Sequence, residues 1–288
     1  MNSRSTEELT VMKEFDWCER SEICSASAAR RVAAMLDLDP NDIAEGSALP
    51  RGWQFTLMAA DTRRSLLRAD GFPGLGVTMP DLGLPRLLLG GRKVAYNTDI
   101  PIGSVIRRRS AIRNLTRKKS ETGPMAIATI QHELRVGTDE QPALVEEQTY
   151  LLLPARKDGN HSEVTSTHML NNGVKKKTVV PDETMLFQYS ALGFNSHRIH
   201  IDRAHARNVE GFPDLVVNGG LATLLMTEFL RKEVGVKPSG LKVRHIAPLY
   251  CGRPITMVAN QLEGRWRVQA FDHRNTLAVD MEVETNEL

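Results

Sequence analysis

The stretch from Gly219 to Val234, GGLATLLMTEFLRKEV, constrains the fold more than any other part of the chain. It reads as a helix with a glycine start and a strongly apolar face. Arg231 and Lys232 lie near its C-terminal end, where cations suit the helix dipole. Gly235 follows in the place of a C-cap. Four strand signals come next: Leu241–Ile246, Pro254–Glu263, Arg265–Asp272 and Leu277–Glu284, with Gly264 marking a hairpin between alternating runs. An apolar helix followed by antiparallel strands implies an α+β packing of helix on sheet, and a sheet that wraps the helix is one of several such arrangements.

The first half repeats this order with weaker signals. Ser25–Leu38 reads as a helix capped by Ser25 and stopped before Pro40. Gly52–Arg68 is expected to form a second helix, and Gly71–Gly91, rich in Gly and Pro, an ordered loop. Arg92–Tyr96, Val105–Leu115, Met125–Leu134 and Leu144–Leu153 read as strands. Pro154–Thr184 is polar, with little periodicity, and reads as a connection between halves. A short strand is expected at Met185–Tyr189. Helix then antiparallel sheet, twice, gives an α+β class. The expected division is 10–155, a linker at 156–184, and 185–288.

The 288 residues fit two domains of ordinary size. Hydrophobic residues are 41% and charged residues 25%, an ordinary balance for a globular protein. No run approaches the roughly 20 apolar residues that span a bilayer, and the first fifteen residues do not read as a secretion signal. Membrane partners are therefore not expected. Cys18, Cys24 and Cys251 are odd in number and fit no CxxC or zinc spacing, so they read as free thiols in a reducing cytoplasm. The eight histidines form no HExxH or Cys/His array, and no metal is expected. Net charge is only +2, but Arg107–Arg109, Arg117–Lys119 and Lys175–Lys177 are basic runs. They read either as solvated surface or as a polyanion site. With 5% aromatics there is little for bases to stack on, so nucleic acid is not the expected partner.

The chemistry gathers in one stretch: Tyr189-Ser-Ala-Leu-Gly-Phe-Asn195-Ser-His197-Arg-Ile-His200, continuing to Ala206. It resembles the signature of MaoC-type hydratases: an aromatic, then Gly-Asp-x-Asn-Pro-x-His and a small residue six positions later. Tyr189 takes the aromatic place, Asn195 the Asp place, His197 the Asn place, His200 the His place and Ala206 the small place. The likeness is closer to the branch of the mitochondrial 3-hydroxyacyl-thioester dehydratase and the mesaconyl-C4-CoA (3-methylfumaryl-CoA) and itaconyl-CoA hydratases. Gly90-Gly91-Arg92 and Glu146-Glu147-Gln148 resemble further elements of that branch. The resemblance runs from about Phe15 to the end. It departs at Val216-Val217-Asn218-Gly219-Gly220-Leu221, where the branch has Val-Val-His-Gly-Pro-Leu.

The resemblance implies a double hotdog. It also implies hydration of a short branched dicarboxylyl enoyl-CoA, itaconyl-CoA or mesaconyl-C4-CoA, to citramalyl-CoA, with coenzyme A as part of the substrate and no separate cofactor. A general (R)-3-hydroxyacyl-thioester dehydratase and a non-catalytic acyl-CoA-binding hotdog are the alternatives. A homodimer is compatible with either. Asparagine cannot act as a base, so Asn195 orients water and proton transfer falls to His200. The N–H of Gly219 or Gly220, at a helix start, stabilises the enolate oxygen. His197 either shares in proton transfer or braces the loop. Asp202 either orients His200 or caps a turn. His205 reads as surface or packing. Arg86, Arg92 and Arg198 are candidates for phosphate or substrate-carboxylate contacts. The first half lacks any copy of the Asn-x-His-x-x-His stretch, so it is expected to shape the acyl tunnel while the second half does the chemistry.

Overall fold

The computed structural model describes residues 9–10, 16–120, 123–155 and 175–285. In chain order the strands and helices are β1 (Leu9–Thr10), β2 (Cys18–Ile23), α1 (Ala26–Met35), β3 (Arg86–Tyr96), β4 (Val105–Ser120), β5 (Gly123–Val136), β6 (Leu144–Leu153) and β7 (Lys175–Val179). They continue with α2 (Glu183–Leu192), α3 (Arg198–Ile201), α4 (Arg203–Asn208), α5 (Gly219–Phe229), β8 (Gly240–His245), β9 (Ile255–Leu262), β10 (Arg265–Phe271) and β11 (Leu277–Glu284). All described strands belong to one sheet, in the order β1-β4-β5-β6-β3-β8-β11-β10-β9-β7, with β2 also on β4. Every pairing is antiparallel. This is the double hotdog: two half-sheets fused where β3 of the first half pairs with β8 of the second.

Leu221 to Phe229 of α5 are all buried, nine residues in succession. A helix buried all round is the centre of a core rather than a surface helix. Its buried polar groups are satisfied: Thr223 and Thr227 donate to Gly219 O and Leu224 O, and Glu228 accepts from Trp53 Nε1 at 2.7 Å. The helix continues as a π turn, Leu230–Val234, and Gly235 caps it in the left-handed region at φ 78°. In the first half α1 buries Ala29, Val32 and Ala33 in the same core, and Ser25 caps it as expected. The loop after it packs Phe72 and Leu75 against Ile112, Ala126, Ala128, Ile130 and Leu152 of the sheet. That loop covers an apolar patch on β4, β5 and β6.

Four expectations are corrected. Met185–Tyr189 lies within α2, because Asp182 accepts from Met185 N at 2.8 Å and nucleates a helix there. Gly52–Arg68 is not one helix but two single turns, Trp53–Leu57 and Arg64–Leu66, neither with a side-chain cap. Of the expected linker, residues 156–174 lie outside the described residues, Lys175–Val179 is an edge strand on β9, and α2 begins at Glu183. The strand at Arg92 also begins six residues earlier, at Arg86.

The junction of the two half-sheets depends on Gly90 and Gly91. The register on β6 shifts between Leu89 and Gly91, which makes a bulge at Gly90. On β8, Gly91 pairs with Arg244 and Arg92 with Val243. A Cβ on Gly91 would stand 2.6 Å from Val243 O, so only glycine permits this approach. Directly paired residues face the same side, and side chains alternate along a strand. Arg92, Val243 and His245 therefore share one face. Gly91→Ala should destabilise the chain by about 1–3 kcal/mol in urea unfolding. Gly90→Ala should cost less, because its Cβ would first meet the Leu151 side chain at 3.4 Å. Equal losses would contradict the close β3–β8 approach.

Candidate active site

A cavity of about 360 Å³ lies between the halves. One wall carries Asn195, His197 and His200; another carries Arg92, His132, Gln148 and Tyr150 from β3, β5 and β6. Asn218, Gly219 and Gly220 at the start of α5 and His245 at the end of β8 complete its polar lining. Phe72, Leu75, Leu87 and Val217 are among its apolar residues.

His200 sits in the short helix α3 and is 8% exposed. Its Nδ1 lies 2.7 Å from Val216 O. A carbonyl only accepts, so Nδ1 carries the proton and Nε2 keeps its lone pair. The acceptor is itself fixed: Val216 N donates to Ile199 O, Val217 N donates to Leu249 O, and Val216 bridges Tyr250. Burial, with His197 beside it, pushes the His200 pKa down to about 3. Its imidazole is neutral at pH 7 and in the tautomer a base requires.

His197 meets His200 edge to face, with ring centroids 5.4 Å apart, and packs on Phe72 at 5.6 Å. Its Nε2 is 3.6 Å from Asp70 Oδ2. Burial and the charge of Arg68 push its pKa down to about 4, so this contact is not a charged pair at neutral pH. Asn195 Oδ1 accepts from His197 N at 3.1 Å, an Asx turn that orients the amide in the cavity wall. Ala206 is fully buried behind this segment.

Asp202 caps α4 by accepting from His205 N and pairs with Arg198 at 2.7 Å; the turn-capping alternative is the one the geometry carries. His205 is buried packing rather than surface, and among the described residues neither of its ring nitrogens has a partner. Arg86 pairs with Glu210 and Arg198 with Asp202, and neither lines the cavity. Arg92 does line it. The basic run Arg107–Arg109 divides: Arg107 is exposed, Arg108 is buried and Arg109 is half-buried, and each is engaged within the fold. Arg107 donates to Gly137 O and Asp139 O, Arg108 is buried on Leu57 O and Ala59 O, and Arg109 pairs with Glu133 over the Trp17 ring.

Sequence reasoning missed His245, Asn218, His132 and Tyr150 as cavity residues. Burial, reinforced by Arg92, pushes the His245 pKa down to about 3. Burial holds His132 at about 4, with Ser110 Oγ 2.8 Å from its Nδ1. Tyr189 stacks on Phe55 at 4.5 Å, and burial raises its pKa so that the phenol keeps its proton. The start of α5 has no side-chain cap, so its first N–H groups remain available toward Gly219 and Gly220 in the cavity lining. A Cβ on Gly220 would collide with the Tyr189 hydroxyl, so in this chain glycine here and the phenol of Tyr189 share one space. Among the described residues no group of three or more His, Cys, Asp or Glu is placed to hold a metal. No helix there is long and apolar enough to cross a membrane.

The family model for hydroxyacyl-thioester dehydratase type 2 matches residues 52–251, which include every cavity residue named above. The chain belongs to that family. Its members are hydratases and dehydratases, and this chain is a hydro-lyase of the MaoC-like double-hotdog kind. It is 32% identical over 283 residues to the mesaconyl-C(4)-CoA hydratase of Chloroflexus aurantiacus, covering 93% of this chain and 96% of that one. The fold is that of the MaoC-like dehydratase from Phytophthora capsici, with a TM-score of 0.70 at 14% identity over 95% of this chain and 96% of that one. HtdX of Mycobacterium tuberculosis gives 0.66 at 15% identity over 94% and 100%.

Four buried histidines, His132, His197, His200 and His245, titrate far below their ordinary value of 6.5. Unfolding below pH 6.5 therefore takes up protons, and stability falls as pH falls toward about 4. The melting temperature should drop steadily between about pH 6.5 and about pH 4. A flat response across that window would contradict neutral, buried imidazoles.

Proposed function

We propose that the chain hydrates mesaconyl-C4-CoA to citramalyl-CoA. The observation that carries this reading is His200, whose Nδ1 proton is held on Val216 O so that Nε2 is an unprotonated base in the cavity wall. The substrate is the one named for the Chloroflexus aurantiacus relative. Water placed between Asn195 and His200 loses its proton to Nε2 as its oxygen bonds to the carbon β to the thioester. Charge moves to the thioester oxygen, where the free N–H groups of Gly219 or Gly220 and the positive end of α5 stabilise it. The imidazolium then returns a proton to the α carbon. The imidazolium of a buried, weakly basic imidazole is a strong acid, which favours that second step and, in the reverse direction, favours protonation of the departing hydroxyl. His197 holds the His200 ring from its edge and stays neutral. The three free thiols suit a reducing cytoplasm.

The family description favours a second reading, a general 3-hydroxyacyl-thioester dehydratase. Loss of enoyl absorbance separates the two. The proposal expects hydration of mesaconyl-C4-CoA with a kcat/KM well above that for crotonyl-CoA; the reverse order favours the second reading. His200→Ala should lower kcat by about 100- to 10,000-fold on whichever substrate is turned over. A His200→Ala enzyme with full activity would eliminate the mechanism.

A further inference from the structure

Three of the buried polar atoms left without partners belong to residues that line the cavity around the start of α5: Arg92 Nε, Asn218 Oδ1 and His245 Nε2. Of these only Arg92 carries a charge. Its side chain is 9% exposed, and Nη1 donates to Glu146 Oε1 at 3.0 Å. Glu146 is fully buried and also accepts from Gln54 Nε2 at 3.0 Å and Gln148 Nε2 at 2.8 Å. The carboxylate is thus shared by three donors, and it uses one N–H of the guanidinium. The Nε–Nη2 edge, the one shaped to grip a carboxylate by two parallel bonds, makes no hydrogen bond within the described chain. Nη2 lies 3.4 Å from where a Cβ on Gly220 would stand, beside the uncapped helix start.

We propose that this edge of Arg92 holds the free carboxylate of the substrate, and so makes the enzyme selective for dicarboxylyl thioesters. The inference rests on the hydration reading above. In mesaconyl-C4-CoA the thioester carbon and the carboxylate carbon are three bonds apart in a trans arrangement, a span of about 4 Å. A thioester oxygen on the Gly219 or Gly220 N–H therefore leaves the carboxylate within reach of Arg92. The carboxylate sits on the carbon that water attacks, so its charge repels an incoming hydroxide-like oxygen. Pairing it with a guanidinium relieves that repulsion, which gives Arg92 a part in rate as well as in binding. Glu146 and its donors position Arg92.

The test compares two unreactive thioesters of equal chain length by calorimetry, succinyl-CoA with a carboxylate and butyryl-CoA without. Wild-type enzyme should bind succinyl-CoA at least about tenfold more tightly, the size expected of a charge-assisted pair. Arg92→Gln should erase that preference by lowering succinyl-CoA affinity about tenfold more than butyryl-CoA affinity. Arg92→Gln combined with Glu146→Gln should do the same without leaving a buried carboxylate unpaired, and a thermal melt of each variant checks folding. Wild-type enzyme with no preference overturns the assignment whatever the variants do. Equal loss of both affinities in a folded variant also overturns it, because Arg92 would then only brace the wall. Turnover read alongside separates the two claims. An enzyme that hydrates crotonyl-CoA and not mesaconyl-C4-CoA overturns the substrate reading. One that hydrates mesaconyl-C4-CoA and shows no carboxylate preference overturns the Arg92 assignment alone.

Discussion

The pairing of β3 with β8 is the contact on which the site depends. It fuses the half-sheets and sets Arg92 opposite Val243, so that Arg92 and His245 share a face. A shift of one residue would turn both away from the cavity. Gly91 permits the approach, and the bulge at Gly90 sets the phase of everything after it on β3. The base and the cationic wall come from different halves of the chain, and this seam brings them to one cavity.

Electrostatics divides that cavity. The His200 side is neutral: burial depresses both His197 and His200, and among the described residues no carboxylate pairs with His200. The α5 side is positive, combining an uncapped helix start with a guanidinium only partly matched by Glu146. A neutral base and a positive electrophile site are the combination that conjugate addition of water requires. Two charged histidines at 5.4 Å between ring centroids would repel each other, so the pair favours at most one proton at a time.

Much of the site was legible in the sequence. The spacing from Asn195 to His200 and on to Ala206 located the histidine wall, and the apolar run after Gly219 located the central helix. Glu146 and Gln148 were marked by resemblance alone, although their parity with Leu144 and Leu152 on an alternating strand already placed them inward. What was not legible depends on tertiary pairing. His245 ends an ordinary alternating strand, and only the β3–β8 register takes it into the cavity. Met185–Tyr189 was misread because apolar residues outweighed the Asp182 cap. The partner of each arginine in Arg107–Arg109 is a loop carbonyl or a neighbouring strand, which composition does not reveal.

The central claim is that one cavity holds a base from the second half and a carboxylate grip from the first. A crystal structure with the saturated analogue 2-methylsuccinyl-CoA, linked through the carboxyl farther from the methyl, tests it most directly. The account predicts the thioester oxygen on the Gly219 or Gly220 N–H, the carboxylate on the Nε–Nη2 edge of Arg92, and the methyl-bearing carbon facing His200 Nε2. An acyl group seated away from His200, or a carboxylate directed away from Arg92, would contradict it.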